Sequence, residues 1–384
     1  HWSILRLIFI IMKRIFILSL CLAASINLSN ISYARMSMQS NKLYSNALAQ
    51  EQEGNYQQAL NYIEKALQYS PDDAVLNIKI AGLYQILGKN KEAVSAYNKA
   101  IALRPEDGFL YISLANILMQ QYDYQNALVS YEKAQTLMPE YNYNYINIAN
   151  AKNLLGDLNG SIEAYNKFLE AYPDNLEGQV SIANVYLDNK DYKKSIESFA
   201  LALRTNPKEF KDYSNYGTAL LKSGDYPKAE LAFKSAVGIN KNDSISWANL
   251  AIVQMKQDKL QDAENSFKQA LTLDEDLNAV RFDYAVLLEK QNKIDNAIEQ
   301  YNLFIPSYPD SINAYTNLSA LYLKKKDYKK AITTLENAAK LQPDNLALKL
   351  NLAAAYQNNM DFNNALNIYN NVLVVDKTNP VALY

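Results

Sequence analysis

The segment PDDAVLNIKIAGLYQILGKNKEAVSAYNKAIALRP, residues 71–105, runs from Pro71 to Pro105, a spacing of 34 residues. The same spacing continues through Pro139, Pro173 and Pro207 and resumes at Pro309 and Pro343. The three members of the series that are not proline are Lys241, Glu275 and Lys377. No insertion or deletion breaks the register over ten segments. So strict a period is the signature of one small supersecondary unit stacked in a line, each copy burying its apolar face against its neighbours.

Alignment on the proline position shows what the period preserves. Twenty-four residues earlier stand Ala47, Ala81, Ala115, Ala149, Ala183, Gly217, Ala251, Ala285, Ser319 and Ala353. Twelve residues earlier stand Ala59, Ala93, Ala127, Ser161, Ser195, Ala229, Ala263, Ala297, Ala331 and Ala365. None is larger than serine, and helices approach closely only where side chains are that small. Eight residues before the proline, large side chains fill the complementary place: Tyr97, Tyr131, Tyr165, Phe199, Phe233, Phe267, Tyr301 and Tyr369, with Ile63 and Leu335. An aromatic set against a small residue fills a narrow core without voids, and a tyrosine there sends its hydroxyl to the solvent edge. Gly54, Gly88, Gly156 and Gly224 share one place in the repeat. Just after that place come Asp123, Asp157, Asp191, Asp225, Asp327 and Asp361, which suit the N-cap of a following helix. Each unit therefore reads as helix, tight turn, helix and short loop, with the proline marking where a helix must stop.

The stretch Tyr84-Gln85-Ile86-Leu87-Gly88, followed by Ala93, Tyr97, Ala100 and Pro105, resembles the tetratricopeptide repeat. So does Trp247, Leu250 and Ala251, followed by Ala263, Phe267 and Ala270. The resemblance covers residues 40–379. It departs locally where Phe168 and Phe304 replace the usual alanine and where Lys241 and Glu275 replace proline. What it implies is an all-α solenoid, a right-handed superhelix of antiparallel helix pairs with a concave groove lined by the first helix of each unit. It implies binding rather than catalysis.

The chain of 384 residues is 49% hydrophobic and 20% charged, with a formal net charge of -2. That balance belongs to a folded soluble protein, not a disordered one. Residues 1–34 stand apart from the array. Lys13 and Arg14 follow Met12 and precede an apolar run from Ile15 to Ala24, and a polar stretch then ends in Ser32-Tyr33-Ala34. This order predicts a secretory signal peptide cleaved after Ala34, preceded by an upstream extension, and hence a periplasmic or extracellular location. Residues 35–39 read as a short linker. The lone cysteine, Cys21, and the lone histidine, His1, both lie upstream of the expected cut. The processed chain would then have no disulfide, no imidazole base, no thiolate and none of zinc's preferred ligands. Carboxylate or lysine chemistry stays formally open, but nothing converges on it. No catalytic residue, metal or cofactor is expected, and no small-molecule substrate. A net acidic, exported chain is not expected to bind nucleic acid.

Counting the first helix from 31 residues before the proline, its second, sixth, ninth and thirteenth positions fall opposite the small packing position. The sixth position reads Ser45, Lys79, Ser113, Asn147, Ser181, Asn215, Asn249, Asp283, Asn317 and Asn351, and at the ninth Asn116, Asn150 and Asn184 extend the column. An asparagine amide donates and accepts, matching the backbone of an extended peptide. Helices roughly 8–10 Å apart and a peptide rising about 3.3 Å per residue allow one rung per roughly three peptide units. The column is similar to the asparagine ladder with which protein-modifying O-linked N-acetylglucosamine transferases of this family hold substrates. The alternative is that short polar residues only keep a solvated helix face soluble. Lys222, Lys256, Lys290 and Lys324 form a second column at the thirteenth position. Such a row could pair with an acidic partner, or simply place cations at the negative ends of helix dipoles. The fifth position holds no lysine, which disfavours clamping of a chaperone's carboxylate tail. Its apolar members, such as Ile78, Ile112, Ile146 and Leu350, suggest a greasy strip beside the asparagines.

Pro380 opens an eleventh unit that ends at Tyr384, with no polar capping helix of the kind that closes a solenoid. The expectation is a non-catalytic scaffold or adaptor of the bacterial envelope that binds peptide or protein segments in the groove. The alternative is the substrate-recognition arm of a larger, glycosyltransferase-like enzyme. A third reading is self-association through the uncapped C-terminus.

Overall fold

The structure, a computed structural model, describes residues 36–383. The expected upstream extension, signal peptide and cleavage point lie outside the described residues. The described residues fall into two compact parts, divided between Phe168 and Leu169. The first holds α1 (Met38–Gln52), α2 (Tyr56–Tyr69), α3 (Ala74–Ile86), α4 (Asn90–Leu103), α5 (Gly108–Gln120), α6 (Tyr124–Leu137), α7 (Asn144–Leu154) and most of α8 (Leu158–Ala171). The second holds α9 (Leu176–Asp188), α10 (Tyr192–Thr205), α11 (Phe210–Ser223), α12 (Tyr226–Ile239), α13 (Ser244–Lys256), α14 (Leu260–Leu273), α15 (Arg281–Lys290) and α16 (Ile294–Phe304). It continues with α17 (Ile312–Lys324), α18 (Tyr328–Leu341), α19 (Leu346–Asn358), α20 (Phe362–Val375) and the single turn α21 (Pro380–Leu383). Among the described residues there is no strand. The fold is an all-α solenoid of tandem helix pairs. Within each part, the second helix of one pair packs on the first helix of the next.

Every first helix ends in the same way. Gly54, Gly88, Gly156 and Gly224 have φ between 72° and 87°. At the same place in the other six units, Tyr122, Lys190, Asp258, Asn292, Lys326 and Met360 have φ between 59° and 63°. The N–H one residue further on reaches back to a carbonyl five residues earlier, as in Asp123 to Leu118 and Asp361 to Tyr356, both 2.9 Å. This is the left-handed closure of a helix that satisfies its orphan carbonyls. Six residues with a Cβ accept a conformation that favours glycine, because the closure leaves the chain no other way to turn. The next helix is then capped by an aspartate: Asp123, Asp191, Asp225, Asp327 and Asp361 each accept from the N–H three residues on.

The small positions are the floor of the core. All ten alanines, serines and glycine of the first row and all ten residues of the second are buried. Ser161 donates to the Ala149 carbonyl at 2.8 Å and Ser195 to the Ala183 carbonyl at 2.9 Å, so the buried hydroxyls tie the small positions of one pair together. A Cβ on Gly217 would meet the Phe233 ring at 2.9 Å, which explains the glycine there. The unit that has Glu275 in place of proline also starts its first helix late. A 3-10 turn, Asn278–Val280, precedes α15. Arg281 holds that loop by donating to Asn278 Oδ1, the Glu275 carbonyl and Gln300 Oε1 at 2.8–2.9 Å.

Neighbouring pairs of the second part are also pinned by buried carboxylates. Glu230, 4% exposed, receives Lys234 at 2.7 Å, Lys259 at 2.5 Å and Gln257 at 2.9 Å. Glu264, 3% exposed, receives Lys268 at 2.8 Å and Lys293 at 2.5 Å. Lys259 and Lys293 stand where other units have the capping aspartate, so those two units exchange a local cap for a bond to the preceding unit.

Candidate partner-binding face

The sixth-position column is accessible along most of its length. Ser45 and Asn351 are exposed, Lys79, Asn147, Ser181, Asn215, Asn249, Asp283 and Asn317 are half-buried, and Ser113 is buried. Period 3.6 turns these positions away from the small residue two places on, so the helix geometry itself presents them.

The amides differ in what they have left to offer. Asn116 Oδ1 accepts from the Tyr131 hydroxyl at 2.5 Å, and Asn150 accepts from that of Tyr165. Asn184 donates to the Val180 carbonyl at 2.9 Å and accepts from Asn215 Nδ2 at 2.8 Å, so two rungs of neighbouring first helices, α9 and α11, bond to each other. Asn317 Nδ2 donates to the Tyr301 hydroxyl at 2.9 Å. Core tyrosines thus do send hydroxyls to the edge of the core, where asparagine side chains capture them. Asn147, Asn249 and Asn351 make no side-chain hydrogen bond among the described residues. The ninth-position residues Asn116, Asn150 and Asn184 serve the fold with at least one of their two polar atoms. Asn116 Nδ2 is buried without a hydrogen-bond partner.

Lys222, Lys256, Lys290 and Lys324 are all exposed and all sit in the last turn of a first helix. Lys324 donates to Asn292 Oδ1 at 2.8 Å. The other three carry no hydrogen bond or ion pair among the described residues. The fifth-position strip is in part core packing. Ile112, Ile146, Ser214 and Ala248 are buried, and the remaining members are half-buried. Fifth and eighth positions are i, i+3 neighbours on one helical face, so the strip lies beside the small residue at the edge of the core.

One feature of this face escapes the sequence pattern. Between the first helices α15 and α17, Phe282, Asp283, Phe304, Tyr308, Ser311 and Asn313 border an open cavity of about 320 Å³. Phe304 and Tyr308 stack at 4.5 Å, and Phe282 lies 5.5 Å from Phe304 and 5.6 Å from Tyr301. The departure from alanine at Phe304 was the available signal; that Phe282 and Tyr308 meet it is decided by the loop path. Burial lifts the Asp283 carboxyl above its usual range, with Lys256 pulling the other way. Among the described residues no cluster of three or more His, Cys, Asp or Glu is placed to hold a metal. No described helix is long and apolar enough to cross a membrane.

Stacked helix hairpins with a polar row on their first helices define a helical-repeat protein. Two tetratricopeptide repeat models match the chain, one over residues 51–118 and 322–384, the other over residues 248–312. The chain belongs to the tetratricopeptide repeat family, whose fold is that of protein-interaction scaffolds. The model of the Cilia and flagella-associated protein 70 C-terminal domain matches residues 142–276. No curated protein matches. Among solved structures, a tetratricopeptide repeat protein from Parabacteroides merdae ATCC 43184 is 14% identical over 66% of this chain and 100% of its own, with a TM-score of 0.49. PilF of Pseudomonas aeruginosa is 21% identical over 55% of this chain and 96% of its own, with a TM-score of 0.47. MamA of Desulfovibrio magneticus RS-1 is 19% identical over 44% and 96%, with a TM-score of 0.43.

Proposed function

We propose that the protein is a non-catalytic scaffold that holds an extended peptide or protein segment against the first-helix face, in the groove that repeats of this family form. The observation that carries this reading is the unspent hydrogen bonding of Asn249 and Asn351, on first helices of the second part, in a row where Asn215 and Asn317 are bonded internally. Each free amide offers a donor and an acceptor to a passing peptide backbone. The segment from Lys13 to Ala34 supports export, which would place the scaffold in the bacterial envelope or beyond it.

Selection of a phage-displayed random dodecapeptide library on the processed chain tests the reading. Peptides retained by the native protein should bind at least about tenfold more weakly to the Asn249→Ala, Asn351→Ala double variant, the loss of about two net hydrogen bonds. Its melting curve should be unchanged. Equal binding to both proteins, or no retained peptide, overturns the proposal.

A further inference from the structure

We propose that the cavity formed by Phe282, Asp283, Phe304 and Tyr308 takes a basic side chain of the bound segment, arginine in preference to lysine. This inference rests on the peptide-binding reading above and specifies one of its contacts.

The cavity is built by departures from the repeat. Phe304 stands where Ala66, Ala100, Ala134, Ala202, Ala236, Ala270 and Ala338 occupy other units. Its ring is 7% exposed, stacks on Tyr308 at an interplanar angle of 17° and meets Phe282 at 54°. The result is an aromatic wall on a face that is otherwise short and polar. Ring faces carry negative potential and attract cations, more strongly where water is thinned out. At the rim sits Asp283, the only acidic residue in the sixth-position column. It has no hydrogen bond or ion pair among the described residues, and its half-burial disfavours the charged form. A half-buried carboxylate that no cation contacts is costly, Lys256 easing that cost only from beyond ion-pair distance, and a cation placed beside it relieves it.

The two features select one class of occupant. An acidic group would meet Asp283 with like charge, and an aliphatic side chain would cover the carboxylate without pairing it. A guanidinium satisfies both walls, because its plane stacks on a ring while its N–H fork engages a carboxylate. Its methylene stem can lie along the remaining ring surface. Ser311 and Asn313 at the same rim can accept the N–H groups left over. Lysine offers a point charge with no planar face, so it should bind more weakly.

The test uses the full chain labelled with 4-fluorophenylalanine and titrated with N-acetylarginine amide, N-acetyllysine amide, N-acetylcitrulline amide and N-acetylleucine amide. Phe282→Leu and Phe304→Ala assign the two fluorine resonances, and the latter restores the residue most units use. Arginine amide should shift both resonances saturably in the millimolar range, lysine amide several-fold more weakly, and the neutral amides not at all. Asp283→Asn should remove the arginine response. Equal shifts with citrulline or leucine amide, a response indifferent to Asp283→Asn, or no response to arginine overturns the proposal. The peptide selection with the asparagine double variant tests the parent reading separately: column-dependent capture without an arginine response sinks the pocket alone. An arginine response without column-dependent capture sinks the peptide-binding reading and leaves the pocket as a bare cation site.

Discussion

Asn317 Nδ2 donates to the Tyr301 hydroxyl at 2.9 Å, joining the first helix of one pair, α17, to the second helix of the pair before it, α16. The same hydroxyl donates to Glu289 Oε1 at 2.5 Å in α15, so one phenol bridges three helices. Burial, reinforced by Glu289, pushes that phenol up, and it stays protonated at neutral pH. Tyr301→Phe leaves Glu289 and Asn317 without this partner and should cost about 1–3 kcal/mol. Urea unfolding of Tyr301→Phe, Asn317→Ala and the double variant checks it. A double variant whose loss equals the sum of the singles would show the two groups to be uncoupled.

The Glu230 and Glu264 staples make a pH prediction. Burial, the largest influence on each, pushes the carboxyl up. The hydrogen bonds from Lys234, Lys259 and Gln257 at Glu230, and from Lys268, Lys293 and Gln291 at Glu264, outweigh it and hold each at about 2. A depressed carboxylate contributes stability that is present above the ordinary value of 4.5 and is lost as pH falls through about 2. Each contributes roughly 3 kcal/mol at neutral pH on this scale. Native chain and a Glu230→Gln, Glu264→Gln variant should differ most above pH 5 and converge toward pH 2 in thermal melts. A constant difference across that range would contradict the assignment.

Asp212 has the opposite sign. It is 7% exposed in α11, with no hydrogen bond or ion pair among the described residues. Burial, then the charge of Glu209, pushes its carboxyl up to about 6 from an ordinary 3.8. A raised carboxyl favours the folded state while protonated and weighs against it as pH climbs between those two values. Asp212→Asn should therefore stabilise the chain by roughly 3 kcal/mol at pH 7 and by little at pH 4. A melting temperature that Asp212→Asn lowers at pH 7 would refute this.

The left-handed turns supply a stability series. Tyr122→Gly and Met360→Gly release a Cβ from φ near 60°. That strain is about 1–2 kcal/mol, offset in part by the greater freedom of glycine in the unfolded chain. A net gain of about 0.5–1 kcal/mol is expected at each. Asn292→Gly should gain less, since asparagine tolerates the conformation better. Chemical denaturation ranks the three, and a destabilised Met360→Gly would count against the explanation.

The period, the two rows of small residues and the aspartate caps were legible in the letters, because each acts within one hairpin whose geometry repeats. The column itself was legible too, since helical period alone decides which residues share a face. Two things were not. Glycines mark four of the ten turns, but the left-handed closure itself is taken equally by Tyr122, Lys190 and Met360, which look unsuited to it. How far the fifth-position strip sinks into the core also escapes the letters: Ile112, Ile146, Ser214 and Ala248 are buried, and the other members are half-buried.

The sequence by itself determined a tandem array of helix pairs, because residue size and spacing constrain each short segment independently of distant ones. Only the tertiary structure decided which asparagines keep their side-chain hydrogen bonding unspent. Asn116 is engaged by Tyr131, Asn184 by Asn215 and Asn317 by Tyr301, while Asn147, Asn249 and Asn351 are not. Those pairings depend on how one helix seats against the next, as does the meeting of Phe282, Phe304 and Tyr308. A hydrogen bond or ring contact needs its partner within a few ångströms, and no spacing along the chain encodes that distance.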